Sequence, residues 1–374
     1  MKFYIIAGEA SGDLHASNLM KELRKQDVSS TFRCWGGDLM SDQGGQIVKH
    51  YRDLAFMGFV EVLANLKTIM GNLRFCKQDI LAYQPDAVIL VDYPGFNLRI
   101  AEFAKKAGFK VFYYISPQIW AWKKSRVYKI KKYVDKMFVI LPFEKEFYAR
   151  YDYKVDFVGH PLLDMINQLP ESDRKSFREK NGLNTKPIIA LLPGSRKQEI
   201  KKMLSGMLSV VKDFPEYQFV IAGAPSQEIT FYKELMGNVE VNLVEGQTYS
   251  LLQNSHAALV TSGTATLETA LFQIPEVVCY KSSAISYWIA RMVIDKSIIK
   301  FISLVNLIMD KEVVLELIQG DFTSKRIKKE LSLLTSDTNY RNKIFNDYQE
   351  LVEKLGGSGA SQKTASGILN ALKD

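Results

Sequence analysis

The sequence predicts an α/β protein made of two Rossmann-like, doubly wound domains that face each other across a cleft. Its 374 residues exceed what one compact core usually holds and fit two domains of ordinary size. Short apolar runs alternate with amphipathic segments, which is typical of βαβ units in a parallel sheet. The alternation starts again near the middle of the chain, so we expect two sheets rather than one.

Five strand-like runs belong to the first domain, which we place at residues 1–165. Each run is short and apolar throughout, the pattern of a strand that is covered on both faces of a parallel sheet. Helices are predicted between the runs, for example at the amphipathic segment 98–106. The predicted strands are residues 3–7, 86–92, 110–116, 136–141 and 155–160.

The second domain, predicted at residues 166–345, opens with a polar and charged segment at 170–185. A charged helical tail at 346–374 follows it, and a Gly/Ser stretch at 356–359 interrupts this tail before a last short helix. We expect the tail to pack back on the first domain or on a partner chain. The predicted strands of this domain are residues 187–194, 217–224, 239–246, 256–263 and 275–281.

Composition narrows the classes of protein to consider. The hydrophobic fraction of 47% and the charged fraction of 24% are those of a folded globular protein. Three widely spaced cysteines indicate neither a disulfide framework nor a zinc site. No signal peptide and no uncharged run of ~18–20 residues is found, so we expect a cytoplasmic protein. A net charge of +8 permits nucleic acid, an anionic membrane surface or phosphorylated small molecules as partners.

The first of two loops in the second domain has the features of a phosphate site. Pro193, Gly194 and Ser195 turn the chain after a strand, and Arg196 stands beside the start of the next helix. Main-chain N–H groups at a helix start bind phosphate, and an arginine adds a bidentate cation. The alternative interpretation is an ordinary Pro-Gly turn with a solvent-facing arginine.

The second loop repeats this arrangement further along the chain. Ser262, Gly263 and Thr264 end a strand and begin a helix, and they offer hydroxyl and N–H groups to a diphosphate. Glu268 lies one helical turn after Thr264, where its carboxylate can accept hydrogen bonds from ribose hydroxyls. The alternative is a capped helix with a solvated glutamate. Since both loops fall in one domain, the sequence favours a nucleotide diphosphate as the ligand.

Acidic residues at two strand ends of the first domain are candidates for catalysis. Asp92 directly follows an apolar run and precedes a Pro-Gly turn, where a partly desolvated carboxylate can act as a general base. The alternative is that Asp92 only organises its own turn. Glu9 and Asp13 lie in the loop after the first strand, where Asp13 can also cap the following helix. His15 and His160 show no metal-ligand spacing.

Residues 54–75 are more apolar than one core-facing helix stripe requires, and Lys67 and Arg74 accompany them. An apolar surface with basic neighbours is typical of a segment that lies on a membrane or accepts acyl chains. Core packing is the competing interpretation. The apolar residues concerned are Met57, Phe59, Val60, Leu63, Leu66, Ile69, Met70 and Leu73.

In order and spacing, a series of motifs between residue 3 and about residue 320 resembles the lipid-A-disaccharide synthase family. They begin with Gly-Glu-Ala-Ser-Gly-Asp, the loop that contains both early acids, and include both phosphate-site loops and the stretch around Asp92. The motifs are residues 8–13, 36–37 with Met40, 57–58 with 61–63, 92–97, 114–122, 141–144, 159–161, 193–196 and 262–268.

This resemblance implies a GT-B glycosyltransferase that joins UDP-2,3-diacylglucosamine to 2,3-diacylglucosamine 1-phosphate (lipid X). The family forms a β-1,6 linkage, inverts the anomeric centre and releases UDP. By the same resemblance, Asp92 corresponds to the general base and Arg196 to the diphosphate-binding arginine. Glu9 and Asp13 are then expected to organise sugar hydroxyls. No metal or other cofactor is expected, because Arg196 and helix N-termini can offset the charge of the leaving diphosphate.

Three further residues, Asn306, Glu316 and Gln319, match the family's stretch beside the donor. Leu315 stands where the family commonly has proline at the start of a helix, and Asp38 also departs from the common pattern. The resemblance implies peripheral association with the anionic inner face of the bacterial inner membrane, and a homodimer is possible because some members exchange C-terminal segments.

Two rival functions remain open at this point. The first is another enzyme on the same fold, such as a UDP-N-acetylglucosamine 2-epimerase or a muramyl-type N-acetylglucosaminyltransferase, although an epimerase needs no acyl-binding surface. The second is a basic nucleic-acid-binding module, which would require one continuous Lys/Arg stripe interleaved with aromatic residues. The resemblance favours a lipid-handling glycosyltransferase and no nucleic-acid partner.

Overall fold

The computed structural model contains two compact units, each built on one parallel sheet. Unit 1 comprises Met1–Asp164 together with Leu355–Asp374, and unit 2 comprises Met165–Lys354. The α/β architecture with two sheets that the sequence predicts is confirmed. The structure describes residues 1–54, 66–122, 124–282 and 300–373.

The strands pair in parallel throughout the described part of the chain. Those of unit 1 are β1 Lys2–Ala7, β2 Thr31–Gly36, β3 Gln46–His50, β4 Ala87–Val91, β5 Lys110–Tyr114, β6 Lys136–Val139 and β7 Asp156–Phe157. Those of unit 2 are β8 Ile188–Leu192, β9 Gln218–Gly223, β10 Asn242–Glu245, β11 Ser255–Thr261, β12 Glu276–Tyr280 and β13 Glu316–Ile318. The sheet orders are β3-β2-β1-β4-β5-β6-β7 and β10-β9-β8-β11-β12-β13.

Helices separate most of these strands. The helices up to residue 180 are α1 Ala10–Gln26, α2 Asp38–Asp42, α3 Leu66–Tyr83, α4 Pro94–Lys106, α5 Ile119–Trp122, α6 Arg126–Tyr133, α7 Pro142–Ala149, α8 Pro161–Gln168 and α9 Arg174–Lys180. The later helices are α10 Lys197–Leu208, α11 Ile229–Met236, α12 Thr248–Gln253, α13 Thr264–Leu271, α14 Leu304–Met309, α15 Ser324–Ser336, α16 Thr338–Lys354 and α17 Ala360–Ala371. Short 3₁₀ turns lie at Tyr51–Leu54, Val211–Asp213 and Gln319–Asp321.

Strand β1 shows why a continuous apolar run forms the centre of each sheet. Phe3 and Ile5 pack on one face in a core with α1 and the tail helix α17. Tyr4 points to the other face, where its hydroxyl donates to Asp79 Oδ2 of α3 at 2.7 Å and accepts from Trp35 Nε1 at 2.7 Å. Helices therefore cover both faces, and alternation of apolar and polar residues is not required.

The C-terminal tail packs on unit 1 of its own chain. Ile368 and Leu369 of α17 belong to the same core as Leu19 of α1. Asp164 accepts main-chain hydrogen bonds from Gly359 and from Ser361, the latter at 3.3 Å, and so caps the start of α17. The predicted last helix after the Gly/Ser stretch is confirmed.

The start of the tail differs from its predicted position. Residue 346 falls inside α16, a single helix that runs from Thr338 to Lys354 and belongs to unit 2. The structural break comes later, at the glycines of positive φ that follow Leu355. A helix of uniform charge pattern gives no internal sign of a boundary, whereas the glycines give a clear one.

Three strands were absent from the predicted set, each for a physical reason. β2 contains Arg33, whose guanidinium lies in a bidentate pair with Asp79, with Nε–Oδ2 and Nη2–Oδ1 distances of 2.8 and 2.6 Å. β3 is an edge strand and only partly buried, so it carries no apolar run. The helix expected near Glu316 is wrong: this segment is β13, which pairs with β12.

Candidate functional site

Unit 2 has a cavity of about 430 Å³ where β8 and β11 end and α10 and α13 begin. Cavities of ~300–1,000 Å³ are typical of small-molecule sites, and strand C-terminal ends are where open α/β sheets bind ligands. All seven residues that the two phosphate-loop motifs predicted line this one cavity. The lining is Leu192, Gly194, Ser195, Arg196, Glu199, Ala222, Ala224, Pro225, Thr248, Thr261, Ser262, Gly263, Thr264, Ala265 and Glu268.

The loop after β8 has a conformation that requires glycine. Gly194 has φ of +104°, and a Cβ at this position would lie 2.2 Å from Glu199 Oε2. That Glu199 oxygen accepts a hydrogen bond from Ser195 N at 3.3 Å, which ties the loop to the first turn of α10. Arg196 is the N-cap of α10 and is exposed. Its guanidinium and the N–H groups at the helix start offer donors to an anion at this wall, which also contains the Glu199 carboxylate.

Glu268 is held in place at another wall of the cavity. Tyr249 Oη donates to Glu268 Oε1 at 3.0 Å. Burial raises the pKa of the Glu268 carboxyl, and the hydrogen bond from Tyr249 opposes this rise. The side chain therefore has a fixed position, and its second oxygen is suited to accept a hydrogen bond from a ligand hydroxyl.

Asn306 does not line the cavity, in contrast to the donor contact that the family resemblance implies. It is fully buried, and its Nδ2 donates to Val314 O at 2.8 Å and to Glu316 Oε1 at 3.0 Å. Its Oδ1 accepts from Val313 N at 2.8 Å and from Val314 N at 3.1 Å. Four hydrogen bonds use the capacity of an amide side chain, so no donor or acceptor is left for a ligand.

Glu316 and Gln319 likewise organise backbone segments near the cavity. The Glu316 carboxylate accepts hydrogen bonds from Ile302 N at 2.9 Å and from Ser303 N at 2.9 Å. Ser262, which lines the cavity, donates through Oγ to Ile302 O at 2.9 Å. Gln319 Oε1 accepts from the main-chain N–H of residue 282 at 3.1 Å. Glu316 therefore supports the cavity wall through the loop at 302–303, whereas Gln319 holds the main chain at residue 282.

In unit 1, Asp92 directly follows β4, one of the two strands between which the strand order of that sheet reverses. It is partly buried and has φ of +43°, and Tyr93 follows with φ of +49°. Burial and the nearby Glu9 carboxylate raise the pKa of Asp92 to about 6. A carboxylate with this pKa is ionised at neutral pH and is a stronger base than an exposed aspartate.

The loop after β1 approaches the Asp92 turn closely. A Cβ on Gly8 would lie 2.3 Å from Cγ of Tyr93, so only glycine allows the Tyr93 ring to rest there. Glu9 is the exposed N-cap residue of α1, and its side chain makes no capping hydrogen bond. The first loop therefore lies beside the Asp92 turn, with Glu9 as its exposed acid.

Asp13 binds the main chain at the start of α2, whereas the sequence predicted a cap of its own helix or a contact with sugar hydroxyls. It is 2% exposed, and its carboxylate accepts from Gly37 N at 2.7 Å, Leu39 N at 3.1 Å and Met40 N at 3.2 Å. These bonds occupy the carboxylate at the start of α2, so it neither caps its own helix nor meets a sugar hydroxyl. The expectation failed because the partners lie 24–27 residues further along the chain.

Two histidines stand near this end of the unit 1 sheet as neutral groups. Burial lowers the pKa of His15 to about 4, and burial with the neighbouring His15 lowers the pKa of His160 to about 3. His160 Nδ1 accepts from Leu162 N at 3.3 Å. In the described ranges, no group of three or more His, Cys, Asp or Glu is placed to hold a metal ion.

The apolar segment at 54–75 is described only in part. Met57, Phe59, Val60 and Leu63 lie outside the described residues, as does the side chain of Leu66. On α3, Met70 is 63% exposed and Ile69 is partly exposed, whereas Leu73 is 5% exposed and belongs to the interior of unit 1. Leu73 is therefore removed from the predicted lipid-facing set, because helical periodicity turns it inward.

The sequence reasoning missed further exposed apolar residues on α3. Phe75 is 44% and Leu81 is 45% exposed, and the cation Arg74 beside Phe75 is also exposed. Leu81 lies eleven residues after Met70, about three helical turns, so helical spacing could have found Leu81 but not Phe75. Among the helices of the described ranges, none has the length and apolar character to cross a bilayer.

Comparison with known proteins places the chain among lipid A enzymes. A family model described as lipid-A-disaccharide synthetase matches residues 3–370. The chain is 39% identical over 378 residues to the lipid-A-disaccharide synthase of Syntrophus aciditrophicus, with 99% of this chain and 97% of that protein covered. It is 38% identical over 380 residues to the same enzyme of Myxococcus xanthus, with 99% and 97% covered.

Solved structures share the fold at low sequence identity. The UDP-GlcNAc 2-epimerase of Neisseria meningitidis, bound to UDP-GlcNAc, has a TM-score of 0.69 at 15% identity and covers 99% of this chain and 100% of its own. The glycotransferase of kitacinnamycin has a TM-score of 0.65 at 12% identity, with 99% of both chains covered. These identities show the fold alone, and the predicted GT-B-like fold class is confirmed.

Proposed function

The chain belongs to the lipid-A-disaccharide synthase family, and from this premise we propose the substrates, stereochemistry and residues of its reaction. It is a glycosyltransferase of lipid A biosynthesis. The proposed donor is UDP-2,3-diacylglucosamine, and the proposed acceptor is the 6-hydroxyl of 2,3-diacylglucosamine 1-phosphate. The products are the β-1,6-linked disaccharide 1-phosphate, formed with inversion at the donor's anomeric carbon, and UDP.

The cavity of unit 2 is the proposed UDP site. Its volume suits a nucleotide, and two helix N-termini and the Arg196 guanidinium suit a diphosphate. Glu268, held by Tyr249, is the proposed partner of the ribose hydroxyls. The UDP-GlcNAc bound by the Neisseria epimerase of the same fold supports a UDP-sugar as the ligand class.

Each charged group has a proposed role in the transfer step. Asp92 accepts the proton of the acceptor's 6-hydroxyl as that oxygen forms its bond to the anomeric carbon. The bond from this carbon to the diphosphate oxygen breaks at the same time, and its electron pair leaves with UDP. Arg196 and the starts of α10 and α13 stabilise the charge on the departing diphosphate. Glu9 keeps the pKa of Asp92 raised and orients sugar hydroxyls.

The placement of Asp92 is the observation that carries this proposal. A rigid strand delivers its carboxyl to the ligand-binding edge of the unit 1 sheet, and burial brings its pKa to about 6, close to working pH. A general base is most effective when its pKa lies near the pH at which it works.

The exposed side of α3 is the proposed contact for acyl chains and the membrane. Met70, Phe75 and Leu81 expose apolar surface there, and Lys67 and Arg74 supply positive charge. Both proposed substrates carry acyl chains, so a surface that rests on anionic lipid would collect them. We accordingly propose peripheral association with the inner face of the bacterial inner membrane.

The direct test is an assay of the purified full chain with UDP-2,3-diacylglucosamine and 2,3-diacylglucosamine 1-phosphate. We expect disaccharide 1-phosphate and UDP in equal amounts, and a β configuration at the new linkage by NMR coupling constants. The same protein with UDP-N-acetylglucosamine alone tests the epimerase alternative. The proposed function would be overturned if the second reaction gave the 2-epimer of UDP-N-acetylglucosamine while the first reaction gave no disaccharide.

A further inference from the structure

The main chain of Asp92 is held more tightly than a turn residue requires. Asp92 and Tyr93 are consecutive non-glycine residues in the left-handed region, with φ of +43° and +49°. Such conformations cost ~1–3 kcal/mol each and persist only where the surroundings determine them. The contacts of this turn therefore show which groups maintain it.

Two buried side chains converge on one atom, the carbonyl oxygen of Asp92. Tyr113 Oη of β5 donates to it at 2.5 Å, and Asn97 Nδ2 of α4 donates to it at 2.7 Å. Both side chains are 0% exposed. The Asp92 N–H donates to Tyr114 O at 3.1 Å, so both main-chain polar groups of Asp92 are fixed, and its carboxyl accepts from the Tyr93 main chain.

The neighbouring tyrosine on β5 shows that this arrangement is specific to one side chain. Tyr114 is as buried as Tyr113 but belongs to the core on the other face of the sheet. Its hydroxyl faces Ser361 and Thr364 of α17 rather than Asp92. Burying an unpaired hydroxyl costs ~1–3 kcal/mol, so the Tyr113 bond to Asp92 has a clear energetic basis.

We propose that Tyr113 and Asn97 are positioning residues of the glycosyl transfer, which hold the Asp92 carbonyl and so direct the Asp92 carboxyl at the acceptor hydroxyl. The inference rests on the proposed role of Asp92 as the base. The two donors enter from different elements, a strand and a helix, and they restrict the turn in two directions. The Tyr93 ring over Gly8 blocks movement on a third side.

The decisive variant is Tyr113→Phe, which removes one hydrogen bond and keeps the buried ring. We expect kcat to fall by ~10–100-fold with little change in KM for either substrate, because misplacing a catalytic group by about 1 Å costs up to ~100-fold. Tyr114→Phe is the matched control, since it deletes a hydroxyl of equal burial from the adjacent residue. It should leave kcat unchanged.

A double-mutant cycle separates positioning from a general structural effect. Asp92→Asn has no base to direct, so adding Tyr113→Phe to it should lower the residual rate little further. If Tyr113→Phe slows the Asp92→Asn enzyme by the same factor as the wild type, the effect does not pass through Asp92 and the inference is overturned. Wild-type kcat in a folded Tyr113→Phe variant overturns it as well.

A second variant and one comparison complete the test. Asn97→Ala removes the other donor and should lower kcat in the same way. Added to Asp92→Asn, it should lower the residual rate little further. This variant tests the proposal even if Tyr113→Phe fails to fold. A slow Asp92→Asn enzyme with normal Tyr113→Phe and Asn97→Ala enzymes refutes the positioning role alone. Wild-type turnover in Asp92→Asn refutes the proposed base, and the positioning role with it.

Discussion

The loop after β4 in unit 1 and the loop after β8 in unit 2 both lie at the point where the strand order of their sheet reverses, but they are built differently. Each follows a central parallel strand and leads into a helix, α4 or α10. In the first loop, non-glycine residues hold positive φ, and buried side chains fix the main chain of Asp92. In the second, Gly194 supplies the positive φ, and Arg196 is exposed.

The difference reflects what each loop must provide. A general base needs a carboxyl group of fixed orientation and a pKa near neutral pH. Both require burial and a rigid main chain. A diphosphate site needs N–H groups and positive charge, which act over a broader range of positions and tolerate solvent. On the proposed roles, the loop after β4 in unit 1 serves the chemistry and the loop after β8 in unit 2 serves binding.

Asp92→Asn should produce the largest effect and tests the chemical side of the comparison. The amide keeps the size of the side chain but cannot accept the proton, so we expect turnover to fall by ~10²–10⁴-fold with UDP affinity retained. Initial rates at saturating substrates and calorimetric titration with UDP measure the two quantities. Asp86→Asn, at the opposite end of β4, is the control and should be fully active. A parallel loss of UDP affinity would contradict the division of roles between the loops.

Arg196→Ala tests the binding side. We expect UDP to bind more weakly and transition-state stabilisation to fall by about 2–4 kcal/mol, because one fixed cation opposite the diphosphate is lost. Lys202→Ala on the same helix removes equal charge outside the cavity and should have little effect. Near-normal UDP affinity and turnover in a folded Arg196→Ala variant would rule out a diphosphate contact for this residue.

Glu9→Gln sharpens the comparison through the pH dependence of kcat/KM. The base is active when ionised, so the wild-type rate should rise with pH through about 6, the pKa of Asp92, and then level off. Removing the negative charge of Glu9 makes ionisation of Asp92 easier, so the acidic limb should move to lower pH. Glu22→Gln, on the same helix but paired with Lys25, is the control and should not move it. A shift to higher pH would show that Glu9 is not a source of the raised pKa.

Met70 and Leu73 of α3 are an exposed and a buried residue of one helix, and together they test the lipid-facing surface proposed for unit 1. Met70→Ser should reduce sedimentation with phosphatidylglycerol vesicles and change the melting temperature little, since the side chain is 63% exposed. Leu73→Ala should lower stability by ~2–5 kcal/mol, because it opens a cavity in the core. Unchanged vesicle binding by Met70→Ser would remove this residue from the membrane contact.

Strands could be predicted from the sequence where neighbouring residues alone determine them. The runs that became β1, β4, β5, β8 and β11 were predictable because strands buried on both faces are continuously apolar. β2 and β13 were not, because Arg33 and Glu316 make them look polar until their buried partners are known. The helix expected at Glu316 came from the family resemblance, and the structure has β13 there instead.

The candidate site shows the same limit. Glycines, hydroxyls and a cation next to strand ends marked residues that do converge on the unit 2 cavity. The partners of Asp13 and Asn306 are set by tertiary packing: Asp13 accepts from main-chain N–H groups, and Asn306 bonds to main-chain groups and to Glu316. The hydrogen bond from Tyr113 to the Asp92 carbonyl joins residues 21 positions apart, and no sequence spacing predicts it.

The return of α17 to the core of unit 1 has a consequence for the order in which the protein is made. A ribosome releases residues 1–164 long before residues 360–371, yet Ile368 and Leu369 fill the same core as Phe3 and Leu19. Unit 2 is continuous in the chain and can fold as soon as Lys354 has emerged. Unit 1, the unit that carries Asp92, therefore cannot complete its core until α17 has emerged, and the α1 face that packs on α17 stays uncovered until then.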